Sequence, residues 1–91
     1  MRASYDRGVP YYVYILRNNS TGATYVGTTR DVQKRLRQHN AGYSKSTRPY
    51  RPLELVHVEE FDTLAEARRR EWRLKCTPAG GKEKKSLLAG G

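Results

Sequence analysis

An α+β fold, a small three-stranded antiparallel sheet flanked by helices in the order ββαβα, is what this sequence predicts. Two runs rich in aromatic and β-branched residues, 11–17 (YYVYILR) and 23–28 (ATYVGT), are separated by NNSTG, the chemistry of a hairpin turn. A third run of this kind, LELVHVEEF, covers 53–61. Between and after these runs lie stretches with helical spacing, each preceded by a helix-start signal.

Residues 1–10 are polar, end in Gly8 and Pro10, and read as a flexible arm. The hairpin follows, and then RDVQKRLRQHNAG, where Asp31 or Thr29 can cap a helix. Val32 and Leu36 share a face there, and Gly42 suits a C-terminal stop. Residues 43–52 (YSKSTRPYRP) hold two prolines and form a loop. After the third strand, whose alternation is imperfect, Thr63 and Glu66 form a capping box that opens a helix to about Cys76. Thr77 and Pro78 supply another cap with proline at the first helical position; Gly80 and Gly81 predict that any last helix is short or frayed. The expected organisation is an arm over 1–10, one domain over 11–76 and an extension over 77–91.

At 91 residues the chain supports one small domain, burying about 60 to 65% of its unfolded surface. Only 36% of it is hydrophobic, yet seven tyrosines and one tryptophan supply large apolar bodies with polar tips. Eighteen Lys and Arg against nine Asp and Glu give a net charge of +9, which points to a polyanionic partner, nucleic acid rather than membrane. Charge serving solubility alone is the plainer alternative. The single cysteine, Cys76, excludes an intramolecular disulfide and a four-cysteine zinc site. No apolar leader and no run long enough to span a membrane is present, so a cytoplasmic protein with no obligate protein partner is expected.

Several side chains are candidates for chemistry. Leu64, Ala67, Glu71 and Leu74 share one face of the second helix, and a glutamate in the middle of a packing stripe demands compensation. Lys75 or Arg68 can provide it as an ion pair at the stripe's edge, or a metal ion can. Trp72 reads as core rather than as a stacking platform. Arg35 and His39 flank the apolar stripe of the first helix, at the rim where a cleft would lie; equally, they suit a solvated helix whose histidine complements the dipole. Tyr12 and Tyr14 share a face of the first strand, and Tyr25 and Gly27 share a face of the second. If the two faces coincide, two phenols approach each other, and Gly27 marks close approach of a backbone or ligand. Lys45, Arg48 and Arg51 alternate with Tyr43 and Tyr50 in the loop, a combination suited to single-stranded or distorted nucleic acid. No P-loop, His-Glu-x-x-His or serine-nucleophile motif occurs.

Taken together, VYI at 13–15, YVG at 25–27, Arg35, His39 and Glu71 resemble the GIY-YIG nuclease domain over Tyr11 to about Lys75. The likeness is to its small stand-alone bacterial members, through YYVYILR, YVGTT, RLRQHNAG, RPLELV and RREWRLK. It implies a metal-dependent phosphodiesterase acting on DNA. Tyr14 would be the general base, Tyr25 would support it and orient water or phosphate, and Arg35 would neutralise the scissile phosphate. His39 would assist, and Glu71 would hold one divalent cation, Mg²⁺ or Mn²⁺. A lone carboxylate suffices for Mg²⁺, which keeps its waters. A free tyrosine is a poor base at neutral pH, so it needs a neighbour to take its proton.

Two positions depart from the family pattern. Tyr12 replaces the first motif's glycine, as in the small members, and no asparagine follows Glu71, the last being Asn40. Lys75 is a candidate to anchor substrate instead. With no appended domain to grip a duplex, the loop (Lys45, Arg48, Tyr50, Arg51) and the first helix would choose the substrate, and single-stranded or branched DNA is expected. The competing readings are a non-catalytic nucleic-acid-binding module on the same fold, and an RNA-associated factor.

Overall fold

Strand β1, Tyr11–Arg17, takes the centre of the sheet, with β2 (Thr24–Thr29) and β3 (Glu54–Phe61) antiparallel on either side. The structure, a computed structural model, describes residues 10–90, so the arm expected over 1–10 lies outside the described residues save for Pro10. Among the described residues there are three helices, α1 (Val32–Asn40), α2 (Leu64–Cys76) and α3 (Pro78–Gly90), with a short 3₁₀ turn at Arg48–Tyr50. The α+β architecture is as the sequence predicts.

Buried on both faces, β1 feeds two small cores. Val13 and Ile15 point to one face and pack with Val26, Ala67 and Leu74, joined by Leu87 and Leu88 of α3. Tyr14 and Leu16 point to the other and pack with Leu53, Tyr25, Val32 and Leu36. Helix α1 therefore covers one face of the sheet, and α2 with α3 covers the other.

Local chemistry fixes where the helices begin and end. The Asp31 side chain caps α1 by accepting from the Lys34 amide at 3.0 Å. Its C-terminus closes as a Schellman motif, with Tyr43 N donating to Gln38 O, Gly42 N to His39 O, and Gly42 at φ +88. At the start of α2 the Thr63 hydroxyl accepts from the Glu66 amide as the expected capping box requires, while the Glu66 carboxylate accepts from the Thr63 hydroxyl in place of its backbone N–H.

Two expectations are corrected. Helix α3 is 13 residues long, not a frayed turn. Its cap is the Thr77 hydroxyl accepting from the Gly80 amide at 2.9 Å, and Arg70 clamps it to the sheet by pairing with both Glu83 and Glu59. Trp72 is 59% exposed instead of joining the core, and Leu64 is exposed too; the packing stripe of α2 narrows to Ala67 and Leu74.

Candidate active site

The hairpin register settles which way the tyrosines point. Tyr14 pairs with Gly27 and Leu16 pairs with Tyr25, which puts Tyr14 and Tyr25 on one face, ring centroids 6.2 Å apart. Gly27 is required by this arrangement. A Cβ there would lie 2.5 Å from the Tyr14 hydroxyl, 2.6 Å from Cζ and 2.9 Å from Tyr25 Cε2. The close approach marked by Gly27 is thus that of the Tyr14 ring, not of a backbone.

From the last turn of α1, His39 packs against both tyrosines, its ring centroid 5.9 Å from that of Tyr14, and is fully buried. Its Nε2 lies 3.0 Å from the Tyr14 hydroxyl and its Nδ1 2.9 Å from Thr47 Oγ1; the rings of His39 and Tyr25 are 4.8 Å apart. Burial, seconded by the Arg35 guanidinium, lowers the pKa of His39. A neutral imidazole has one donor, and a neutral phenol donates most naturally to the bare nitrogen. The arrangement is therefore Tyr14 O–H to Nε2, with Nδ1–H donating to Thr47. Burial pushes the Tyr14 phenol up to about 12, and Tyr25 adds to the rise while Arg35 opposes it. Arg35 itself donates to Gln38 Oε1 at 2.9 Å, within its own helix.

Glu71 approaches from α2 at the β2 edge of the sheet. Thr28 Oγ1 donates to its Oε1 at 2.5 Å, and Lys75 Nζ to its Oε2 at 3.0 Å. Lys75 also stands 5.3 Å from the centroid of the Tyr25 ring. Both compensations foreseen for this glutamate bear on one group: the ion pair is made, and a carboxylate already facing a cationic group fits a metal ion. Among the described residues no three His, Cys, Asp or Glu side chains gather into a metal cage. A lone carboxylate is a donor set for Mg²⁺, which keeps most of its water, and not for zinc.

Tyr14, Tyr25, His39, Glu71 and Lys75 are thus brought together, with Arg35 near enough to act electrostatically on Tyr14 and His39. The loop residues behave otherwise. Lys45 is exposed. Arg48 Nε donates to Gly42 O at 2.9 Å and Arg51 Nε to Arg48 O at 3.0 Å, which spends cationic donors on bracing the loop against the end of α1. Tyr50 is 45% exposed and lies with Lys75 and Tyr25 around a cavity of about 300 Å³.

Four residues that hold the site in place were not singled out as site residues in the sequence. Thr28 and Thr47 carry the hydroxyls that hold Glu71 and His39, and a lone threonine looks the same in any strand or loop. Asn18 and Asn40 pin the loop. Asn18 Nδ2 donates to Tyr50 O at 2.7 Å and Pro52 O at 3.1 Å, while Asn40 exchanges two hydrogen bonds with the Leu53 backbone. The asparagine of the first helix's HNAG was visible, its partner was not.

Comparison with known proteins agrees with this fold. The model of the GIY-YIG catalytic domain matches residues 10–83. A UPF0213 protein of Halobacterium salinarum is 45% identical over 74 residues, covering 80% of this chain and 95% of its own. Another from Haloquadratum walsbyi is 45% identical over 80 residues, 87% of this chain and 85% of its own. The solution NMR structure of a UPF0213 protein from Bacillus halodurans is 37% identical, with a TM-score of 0.53 over 91% of this chain and 88% of that one.

Proposed function

This chain belongs to the GIY-YIG catalytic domain family, and from that premise we propose that it is a metal-dependent endonuclease hydrolysing phosphodiester bonds of DNA, acting on single-stranded or structured substrates. The observation that carries the reading is the buried Tyr14–His39–Thr47 chain of hydrogen bonds beside a carboxylate that already faces a cation.

The chain's own residues account for most of the chemistry. A phenol with its proton held up to about 12 is not a phenolate at neutral pH. Tyr14 therefore serves as a relay: as its oxygen takes a proton from the attacking water, its own proton passes to His39 Nε2. Thr47 holds the imidazole so that Nε2, and not Nδ1, is the accepting nitrogen. Tyr25 packs its ring against the imidazole, 4.8 Å between centroids, and shares in burying it. Arg35 places positive charge where the phosphate gains negative charge. Glu71 is the residue that would hold the divalent cation, Mg²⁺ or Mn²⁺, which when bound supplies Lewis-acid polarisation of the phosphate and stabilises the leaving oxygen. Lys75, already within reach of that carboxylate, is free to follow a phosphate oxygen when a metal takes its place.

The test compares wild type with Glu71→Ala on single-stranded, duplex and branched DNA, with Mg²⁺, with Mn²⁺ and with chelator. The expected result is cutting by wild type that needs the metal, lost in Glu71→Ala while DNA binding persists. Salt-sensitive binding with no cutting on any substrate would replace the proposal with the non-catalytic binding module. Preferential cutting of RNA at equal salt would move the substrate, not the chemistry.

A further inference from the structure

A cavity of about 300 Å³ opens between the start of β2 and the loop before β3, and the catalytic cluster's own Tyr25, Thr47 and Lys75 form part of its wall. Resting on the nuclease reading, we propose that this cavity is a binding site for one unpaired nucleobase of the substrate strand, next to the phosphate that is cut.

Size, lining and position all favour that occupant. The volume is at the lower end of small-ligand sites, roughly 300 to 1,000 Å³, and so suits one ring system rather than a cofactor. Two aromatic side chains line it: Tyr25, whose ring already has Lys75 over it, and the 45%-exposed Tyr50, on which a base can stack whatever its sequence. Ser46 and Thr24 add hydroxyls that can meet a base edge, and Lys75 adds a cation for the adjoining phosphate. Tyr50 is also held in place before any ligand arrives, because the buried Asn18 ties its carbonyl to the hairpin turn. Thr47 is common to both places: it walls the cavity and orients His39. A base seated here places its own phosphate beside the Tyr14–His39 pair. A base stacked within a duplex cannot enter, so the strand must be single or locally open.

The larger hollow of about 610 Å³ beside Phe61 and Trp72 offers no such coupling. It lies on the α2–α3 side, and its Arg70 is taken up by Glu59 and Glu83.

The experiment uses the full chain and a short single-stranded oligonucleotide of mixed sequence. In one arm a single abasic residue replaces an internal nucleotide and the cut positions are mapped. In the other arm a single 2-aminopurine replaces it, and fluorescence is read at saturating protein without metal. Wild type, Tyr50→Ala and the cavity-blocking Ser46→Leu are compared. The expected result is one bond, at a fixed offset from the abasic residue, cut about tenfold slower than in the intact strand. Quenching of 2-aminopurine is expected in wild type and is reduced in both variants. An unbroken ladder of cuts across the abasic residue, with equal quenching by all three proteins, overturns the pocket and leaves the nuclease standing. Absence of cutting on every strand with variant-sensitive quenching removes the nuclease reading and supports the pocket. Absence of cutting with equal quenching removes both.

Discussion

A phenol whose proton is held up to about 12 gains its function from what it touches, and the Tyr14 hydroxyl touches His39 Nε2 at 3.0 Å. Under the nuclease proposal the proton's destination is the imidazole, and the titration that governs the rate is that of His39. Its pKa is lowered by burial and by Arg35, so the imidazole is neutral and able to accept at pH 7. Lowering pH protonates it and blocks the relay. Under the nuclease proposal, kcat/KM measured between about pH 5 and 8 has an acid limb whose midpoint lies below the ordinary histidine value of about 6.5. In His39→Gln the rate falls by about a hundredfold or more and that limb disappears, because an amide can accept the Tyr14 hydrogen bond but not its proton. A limb that persists in the variant would assign the proton to another group.

At the scale of elements, the packing of α3 on α2 decides whether the C-terminal segment belongs to the fold. Gly80 and Gly81 are neighbours in α3 with opposite environments. A Cβ on Gly80 would lie 1.7 Å from the Arg73 carbonyl oxygen, and that is backbone, which cannot step aside; a Cβ on Gly81 meets nothing within 4 Å. Gly80→Ala is therefore expected to cost about 2 kcal/mol, in the range of overpacked contacts. Gly81→Ala is expected to be neutral or to stabilise by up to about 1 kcal/mol, the usual gain of alanine over glycine inside a helix. Urea unfolding midpoints of the two variants measure this, and equal midpoints would mean that α3 does not pack as described. The same clash explains why two glycines, read in sequence as a frayed end, stand in a helix: one of them makes the contact possible.

For the whole molecule the dominant quantity is the net charge of +9, and the structure separates the cations that face solvent from those that hold the chain together. Lys45 is exposed, whereas Arg51 donates to the carbonyl oxygens of Arg48 and Asn40. Binding of single-stranded DNA is expected to weaken linearly on a log–log plot against salt. Lys45→Met should reduce that slope by about 0.7, the share of one phosphate contact on a single strand, with unchanged stability. Arg51→Met should instead lower the unfolding temperature, because its loss leaves helix-end and loop carbonyls unpaired. Among the described residues no helix is long and apolar enough to cross a membrane.

Strand order aside, the sheet was legible in the sequence because aromatic and β-branched runs, a polar turn and helix caps are local signals that agree with one another. Asp31, Gly42 and the Thr63–Glu66 box end and begin helices within a few residues of their own backbone, so no distant partner is needed to read them. The five candidate residues were named from the sequence as residue types at spacings that resemble a family, and the structure brings them near one another; Glu71 stood out as a charge on an apolar stripe, and its side chain is partly buried. Three things were decided only by the tertiary structure. The hairpin register laid the Tyr14 ring over Gly27; the loop delivered Thr47 to His39 and Tyr50 to the cavity; and α2 turned Trp72 outward while bringing Glu71 to Thr28. Each depends on how separate elements come together, because a hydroxyl or a ring gives no sign of its surroundings until the sheet and helices have set their distance.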